Sequence, residues 1–301
     1  MRRVLGRHTT QRKGLGSRSI AGLLCLVLSA LSGTIPFVLM IGNSHRDDGL
    51  AATHAQAVKT EDAQRIDQEY ADARDYNQRL YDEGQPVLGE AEDPWTGAGK
   101  SETDATYRNQ LNLPKDGIMA TVKYPRLSIN LPVRHGTDQS TLDAGAGHLY
   151  GSSLPVGGRN THTVISAHTG LADRLMFDKL RGFGSEARKG DVFYLTVAGR
   201  TLAYEVVRIS VVEPSDFTKL KIVPGEDLAT LLTCTPYGIN NKRLLVTGKR
   251  AKMPHPAPKP ENAPKDHTNQ WFMAYIGAFW LAVIIVTVLV IRRRKQQKER
   301  Q

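Results

Sequence analysis

Two uncharged apolar runs, residues 20–42 and 271–291, divide this chain before any other feature is weighed. Their 23 and 21 residues, at a helical rise of about 1.5 Å each, are long enough to cross the hydrocarbon core of a bilayer. The second run carries Trp271, Tyr275 and Trp280 in its first half, the first two where interfacial aromatics sit. The outer flanks are basic: residues 1–19 carry +6 and residues 292–301 carry +5. With a whole-chain formal charge of +10, the segment between them is left at −1. The high pI therefore belongs to two tails lying against a membrane, and it points to lipid anchoring with no nucleic-acid partner. By the positive-inside rule both termini are cytoplasmic and residues 43–270 lie outside the cell. Small residues between Ala51 and Ala57 would suit signal cleavage. The first run, however, exceeds the roughly 7 to 15 apolar residues of a signal peptide, so it reads as a retained anchor.

The external region divides by composition into an extension (43–116), a β-rich domain (117–251) and a Pro-rich linker (252–270). Within the extension, residues 61–81 read as a polar helix whose few apolar points, Ile66, Tyr70, Tyr76 and Leu80, form one narrow face. A spacer and a docking helix both fit that pattern. Pro254, Pro256, Pro258, Pro260 and Pro264 prevent a lasting helix or central strand, and predict a stiff, extended tether to the second apolar run. In the β-rich domain, short strand-like segments cover 118–123, 127–133, 162–167, 191–197, 201–212, 228–234 and 244–249. Ala198-Gly199-Arg200 forms a hairpin turn between two of them. Helix fits only near 141–144 and 174–180. This spacing predicts one barrel or sandwich and argues against βαβ units.

Cys25 lies in the first apolar run, which leaves Cys234 as the one external thiol. A lone exported cysteine has no partner for an internal disulfide, and it serves either as a small buried hydrophobe or as a nucleophile. Cys234 ends an apolar strand and precedes Thr235-Pro236-Tyr237-Gly238-Ile239-Asn240-Asn241, a loop sequence, so it stands where a rigid scaffold presents side chains. Arg243 opens the next strand beyond that loop. Antiparallel neighbours would bring its guanidinium near the thiol, where it would favour a thiolate or an oxyanion; a surface ion pair is the other role for it. A thiol nucleophile also needs a proton donor and acceptor, and His135, His148, His162 and His168 are the external candidates. His168 ends a strand before Thr169-Gly170, but periodicity does not choose among the four. No Cys/His cluster of metal-ligand spacing appears, and acyl transfer run by a thiol with a proton donor would need no metal or organic cofactor.

The string Thr230-Leu231-Leu232-Thr233-Cys234-Thr235-Pro236-Tyr237-Gly238, followed by Asn240 and Arg243-Leu244-Leu245-Val246, resembles the active-site strand and loop of sortases. These are membrane-anchored cysteine transpeptidases of Gram-positive bacteria. Ser166-Ala167-His168-Thr169-Gly170-Leu171 is similar to their catalytic histidine segment and singles out His168, although Ala167 and Thr169 stand where Gly and Arg are often found. Asp93-Pro94-Trp95 resembles the lid motif of class C, the pilin-polymerising sortases, and the second apolar run after the catalytic domain also suits that class. The resemblance covers about residues 85–250 and the two-anchor layout.

It implies a mostly β fold: an eight-stranded β-barrel with short helices, an N-terminal helical extension with a lid, and two transmembrane helices, 20–42 and 271–291. It implies Cys234 as nucleophile, His168 as general acid and base, and Arg243 as stabiliser of the oxyanion or substrate. Asp93 would pair with Arg243, and Trp95 would shield Cys234. The implied substrates are pilin precursors with an LPxTG-like sorting signal, cut between Thr and Gly and passed to a pilin lysine. A housekeeping sortase that attaches proteins to peptidoglycan would differ in the acceptor amine. A non-enzymatic surface assembly protein would not need the three residues at all.

Overall fold

The computed structural model describes residues 17–89, 99–182, 185–253, 255, 257–264 and 268–299. In chain order these form α1 (Ser17–Thr60), α2 (Ala63–Asp82), the one-turn helices α3 (Lys100–Thr103) and α4 (Ala105–Arg108), β1 (Ile118–Tyr124), β2 (Ile129–His135), α5 (Gln139–Ala144), β3 (Ala146–His148) and β4 (Thr161–Ser166). There follow the short hairpin β5 (Arg181–Gly182) and β6 (Ser185–Glu186), then β7 (Val192–Val197), β8 (Arg200–Val212), β9 (Asp227–Thr235), β10 (Lys242–Ala251) and α6 (Thr268–Glu299). The chain separates into two units, residues 1–38 with 270–301, and residues 39–269.

The second unit is built on an eight-stranded closed barrel in the order β1-β2-β3-β4-β9-β10-β8-β7, with β7 returning to β1. Strands β4 and β9 run parallel, and β10 lies antiparallel between β9 and β8. Alternation along each strand sorts the residues between two faces. Ala229 and Leu231 of β9, and Leu244 and Val246 of β10, join the main core with Phe193, Leu195 and Tyr204. Leu232 and Leu245, paired across the same two strands, face the other way and meet Val164, Val212 and Leu220 in a second apolar cluster. Phe193 and Tyr204 stack with centroids 5.7 Å apart, and a Cβ at Gly248 would stand 2.7 Å from the Phe193 ring. Only glycine fits there. The β7–β8 hairpin turns through Ala198 and Gly199, both at positive φ, as a two-residue turn that follows the strand twist requires.

Seven strands lie within two residues of the segments expected from sequence. Strand β3 was not expected, because three residues containing a glycine carry no period to read.

The polar extension docks on the barrel. Asp62 caps α2 by accepting from the backbone N–H groups of Gln64 and Arg65. The buried face of α2 is Tyr70, Ala73 and Asn77, with Ile66 and Tyr76 packed against the core. The Tyr70 hydroxyl donates to the Val156 carbonyl at 2.6 Å. Asn77 donates to the Leu154 carbonyl at 3.0 Å, which also accepts from the Val156 N–H and the Thr163 hydroxyl, and Asn77 accepts from the Leu154 N–H at 2.7 Å, satisfying that buried donor.

The described part of the Pro-rich segment differs from the extended tether expected. Ala257 and Ala263 are buried against Tyr194 and Ala203, and the Tyr194 hydroxyl donates to the Pro258 carbonyl at 2.7 Å. Proline excludes helix and sheet but allows turns, and the alanines between the prolines are small enough to pack as the segment folds back. In the first unit, α1 and α6 are long and apolar enough to cross a membrane, and Phe37 packs against Phe272 with ring centroids 5.4 Å apart.

Candidate active site

Strand register places Cys234 directly opposite Arg243. Cross-strand partners share a face and stand about 5 Å apart at Cβ, so the thiol and the guanidinium stem leave the sheet side by side. The face is the outer one, continuous with the Leu232–Leu245 pair. The loop that joins the strands is held by its own backbone, because the N–H groups of Ile239 and Asn240 both donate to the Pro236 carbonyl, at 3.0 and 2.9 Å. Gly238 and Asn240 take the positive φ values this tight path needs. Arg243 Nη1 donates to the carbonyls of Asn240 and Lys242 at 3.3 and 3.1 Å, neutral acceptors that orient its cation without cancelling the charge. Cys234 and Arg243 are both half-buried.

The histidine is brought in by β4. Parallel pairing aligns Ser166 with Leu232. The ladder extends one step further: the Ala167 N–H donates to the Leu232 carbonyl at 3.2 Å, and the Thr233 hydroxyl donates to the Ala167 carbonyl at 2.8 Å. The residue before His168 is thus fastened to the residue before Cys234. Beyond it, the Phe177 N–H donates to the His168 carbonyl at 3.1 Å and closes a loop. Inside that loop the buried Asp178 carboxylate accepts from the N–H groups of Gly170 and Met176, at 2.7 and 2.9 Å, and from the Thr169 hydroxyl at 3.3 Å.

His168 Nε2 is buried without a hydrogen-bond partner among the described residues, and it lies 3.5 Å from Asp143 Oδ1 of α5. A buried nitrogen left unspent in a folded protein calls for a role. The other three candidate histidines are each tied to a backbone carbonyl. His135 Nε2 donates to the Gln110 carbonyl at 2.8 Å, and His162 Nδ1 to the Lys221 carbonyl at 2.9 Å while its Nε2 accepts from Thr230 at 2.7 Å. His148 Nε2 donates to the Ser153 carbonyl at 2.9 Å, and its Nδ1 accepts from the Tyr107 hydroxyl at the same distance. Burial, only partly offset by these bonds, lowers all three from 6.5 to about 4, so they stay neutral.

The structure therefore gathers Cys234, Arg243 and His168 at one end of β4, β9 and β10. It adds Asp143 and Asp178, which sequence reasoning missed because both act through contacts that no motif announces. Asp93, Pro94 and Trp95 lie outside the described residues. The segment before them is fixed by Gln85, whose amide donates to the Gly151 carbonyl and accepts from the Ile222 N–H, and by a bond from the Gly89 N–H to the Tyr150 carbonyl. Among the described residues no cluster of His, Cys, Asp and Glu could hold a metal ion. The arrangement can do one kind of chemistry well: attack by a thiol on a carbonyl, with a cation for the oxyanion and an imidazole for the leaving group.

Comparison with known proteins gives the same direction. The sortase domain family matches residues 122–251. Sortase C-1 from Actinomyces oris is 45% identical with a TM-score of 0.54, over 62% of this chain and 99% of that one. The Streptococcus pneumoniae sortase C, described in terms of pilin substrate specificity, is 39% identical with a TM-score of 0.58, over 68% and 97%. The Clostridium perfringens sortase C, solved with the C-terminal cell wall sorting motif, is 33% identical with a TM-score of 0.56, over 68% and 99%. Among curated relatives, sortase A of Streptococcus agalactiae serotype III is 32% identical over 127 residues, and the chain spans about half of its length, 48%.

Proposed function

Because the chain belongs to the sortase family of cysteine transpeptidases, with class C sortases as its structural neighbours, we propose that it polymerises pilins at the outer face of a Gram-positive membrane. The observation that carries the reading is the alignment of Arg243 opposite Cys234, with His168 delivered beside them by the β4–β9 ladder.

In this reading the Cys234 thiolate attacks the Thr carbonyl carbon of an LPxTG-like signal. The carbonyl π pair moves onto oxygen, beside the Arg243 guanidinium. As the tetrahedral intermediate collapses, the Thr–Gly C–N bond breaks and His168 gives its proton to the departing glycine amine. The thioacyl enzyme is then attacked by a pilin lysine amine, His168 takes the proton, and an isopeptide bond replaces the thioester. We extend the proposal to a lid role for Asp93 and Trp95, on the resemblance of their motif alone. Both termini are cytoplasmic, and the two apolar helices hold the barrel near tethered substrates, which raises their effective concentration.

The test uses the full chain in lipid nanodiscs with an LPxTG peptide and a pilin-derived lysine peptide, read by mass spectrometry. The expected products are a Cys234-linked acyl adduct and an isopeptide-joined pair, both absent in Cys234→Ala. Equal cleavage by Cys234→Ala would end the assignment. An adduct that resolves only onto peptidoglycan-type amines would end the pilin reading and leave the thiol chemistry standing.

A further inference from the structure

The loop that follows His168 is tied to α1, just beyond the first apolar run. Asn43 of α1 donates through its side chain to the Asp173 carbonyl at 2.8 Å. Four residues on, the Asp47 carboxylate, only 1% exposed, receives the next residue of the loop: Arg174 Nε donates to its Oδ2 at 3.1 Å and Nη2 to its Oδ1. The same guanidinium reaches α5 on its other side. Nη1 donates to the Asp143 carbonyl at 2.5 Å and Nη2 to the Ala144 carbonyl at 3.2 Å. These are the last two residues of α5, and Asp143 is the residue whose carboxylate stands 3.5 Å from His168 Nε2.

α5 has only six residues, too short to hold its own end in place. A planar cation with donors in a fixed fork suits both jobs at once, gripping a carboxylate with one edge and the helix-end carbonyls with the others. Burial pushes the Asp47 carboxyl above its usual range while Arg174 pulls it down, so each of the two depends on the other to remain in place. Farther along α1, Asp48 accepts from the Asn130 amide at 2.7 Å and His54 meets Asp116 at 2.8 Å, so the docking continues along this stretch of helix.

We propose that Arg174 is a positioning residue for His168, that it acts by fixing α5 and the Asp143 carboxylate, and that Asp47 of α1 holds Arg174 in that role. The juxtamembrane part of α1 is then a component of the active site as well as a stem. The inference rests on the proposed role of His168 in proton transfer. Asp143 orients the imidazole and steadies its protonated form while the amine leaves. Asp47 contributes only through the chain Asp47–Arg174–Asp143.

A double-mutant cycle on the full chain in nanodiscs tests this, with cleavage of an LPxTG peptide as readout. Asp143→Asn and Asp47→Asn are each expected to lower kcat about tenfold, with KM within about twofold. The double variant is expected to match the singles, since both act on the same pair. Asp143 is 57% exposed, so its variant folds, as an unchanged thermal midpoint would show. Should Asp47→Asn fail to fold, Arg174→Lys replaces it in the cycle, because an ammonium cannot span the carboxylate and both carbonyls. A hundredfold loss in the double variant would overturn the chain of action, as would a wild-type kcat in either single variant. Failure of the wild-type chain to show Cys234-dependent cleavage would remove the proposed function instead, and that outcome is visible before any variant is made.

Discussion

Acid is expected to destabilise the barrel through three histidines that have no part in the chemistry. His135, His148 and His162 are at most 7% exposed, and burial lowers each from 6.5 to about 4. Between those values each ring binds fewer protons folded than unfolded. The stabilisation is therefore full above about pH 6.5 and is lost as pH falls toward 4. At pH 5 each ring contributes a loss of about 2 kcal/mol relative to pH 8, hence about 6 kcal/mol for three. Against a total stability of roughly 5 to 15 kcal/mol, that brings the domain close to unfolding. The assay is urea denaturation of the full chain in detergent, followed by near-UV circular dichroism of the buried tyrosines Tyr107, Tyr124, Tyr194 and Tyr204. The slope of stability against pH near 5 is expected to be about 3.5 kcal/mol per unit, equivalent to uptake of nearly three protons on unfolding. Replacing His135 with Gln, which keeps a donor for the Gln110 carbonyl, is expected to remove about a third of that slope. Stability that stays flat from pH 8 to 5, or a slope untouched by His135→Gln, would refute the assignment of these rings as neutral and buried.

Three other outcomes follow from single contacts. Asn77→Leu strands the Leu154 N–H in an apolar setting, while the Leu154 carbonyl keeps the Val156 N–H and the Thr163 hydroxyl, and is expected to cost about 1 to 3 kcal/mol, measured by the same denaturation. Gly248→Ala drives a methyl into the Phe193–Tyr204 stack, for an expected loss of about 1 to 3 kcal/mol in the same assay. Asp178→Ala releases the N–H groups of Gly170 and Met176 and loosens the loop behind His168; kcat for peptide cleavage is expected to fall about tenfold or more, with the alkylation rate of Cys234 changing far less.

The strands were legible because β-prone side chains gather in runs bounded by turn residues, and β8 to β10 are the long ones, of 13, 9 and 10 residues. Cys234 and Arg243 were legible as neighbours because one short loop separates their strands. His168 was not selected by local pattern. Its distinction is that each of the other three rings holds a backbone carbonyl through a ring nitrogen, a fact set by Gln110, Ser153 and Lys221, which no spacing rule connects to them. The Asp47–Arg174 pair spans 127 residues and leaves no sequence signal either, since each partner alone looks like an ordinary surface charge. The polar extension read equally as spacer or docking helix. Its docking is decided by Asn77 and the Tyr70 hydroxyl, polar groups that a search for apolar stripes passes over.

The closed ring of strands limits how an extended peptide can be recognised. Many domains grip such peptides by letting them add as one more strand at an open sheet edge, where the main chain supplies affinity whatever the sequence. Here β1 closes on β7, and where β3 ends the chain still occupies β4, with the Leu149 and Ser153 N–H groups donating to the Val164 and His162 carbonyls. A closed barrel offers no such edge. Recognition of an incoming tail by the barrel itself must then rest on side chains of its outer face and on the loops around it. A barrel of this design selects by residue identity, with none of its own eight strands left open to pairing.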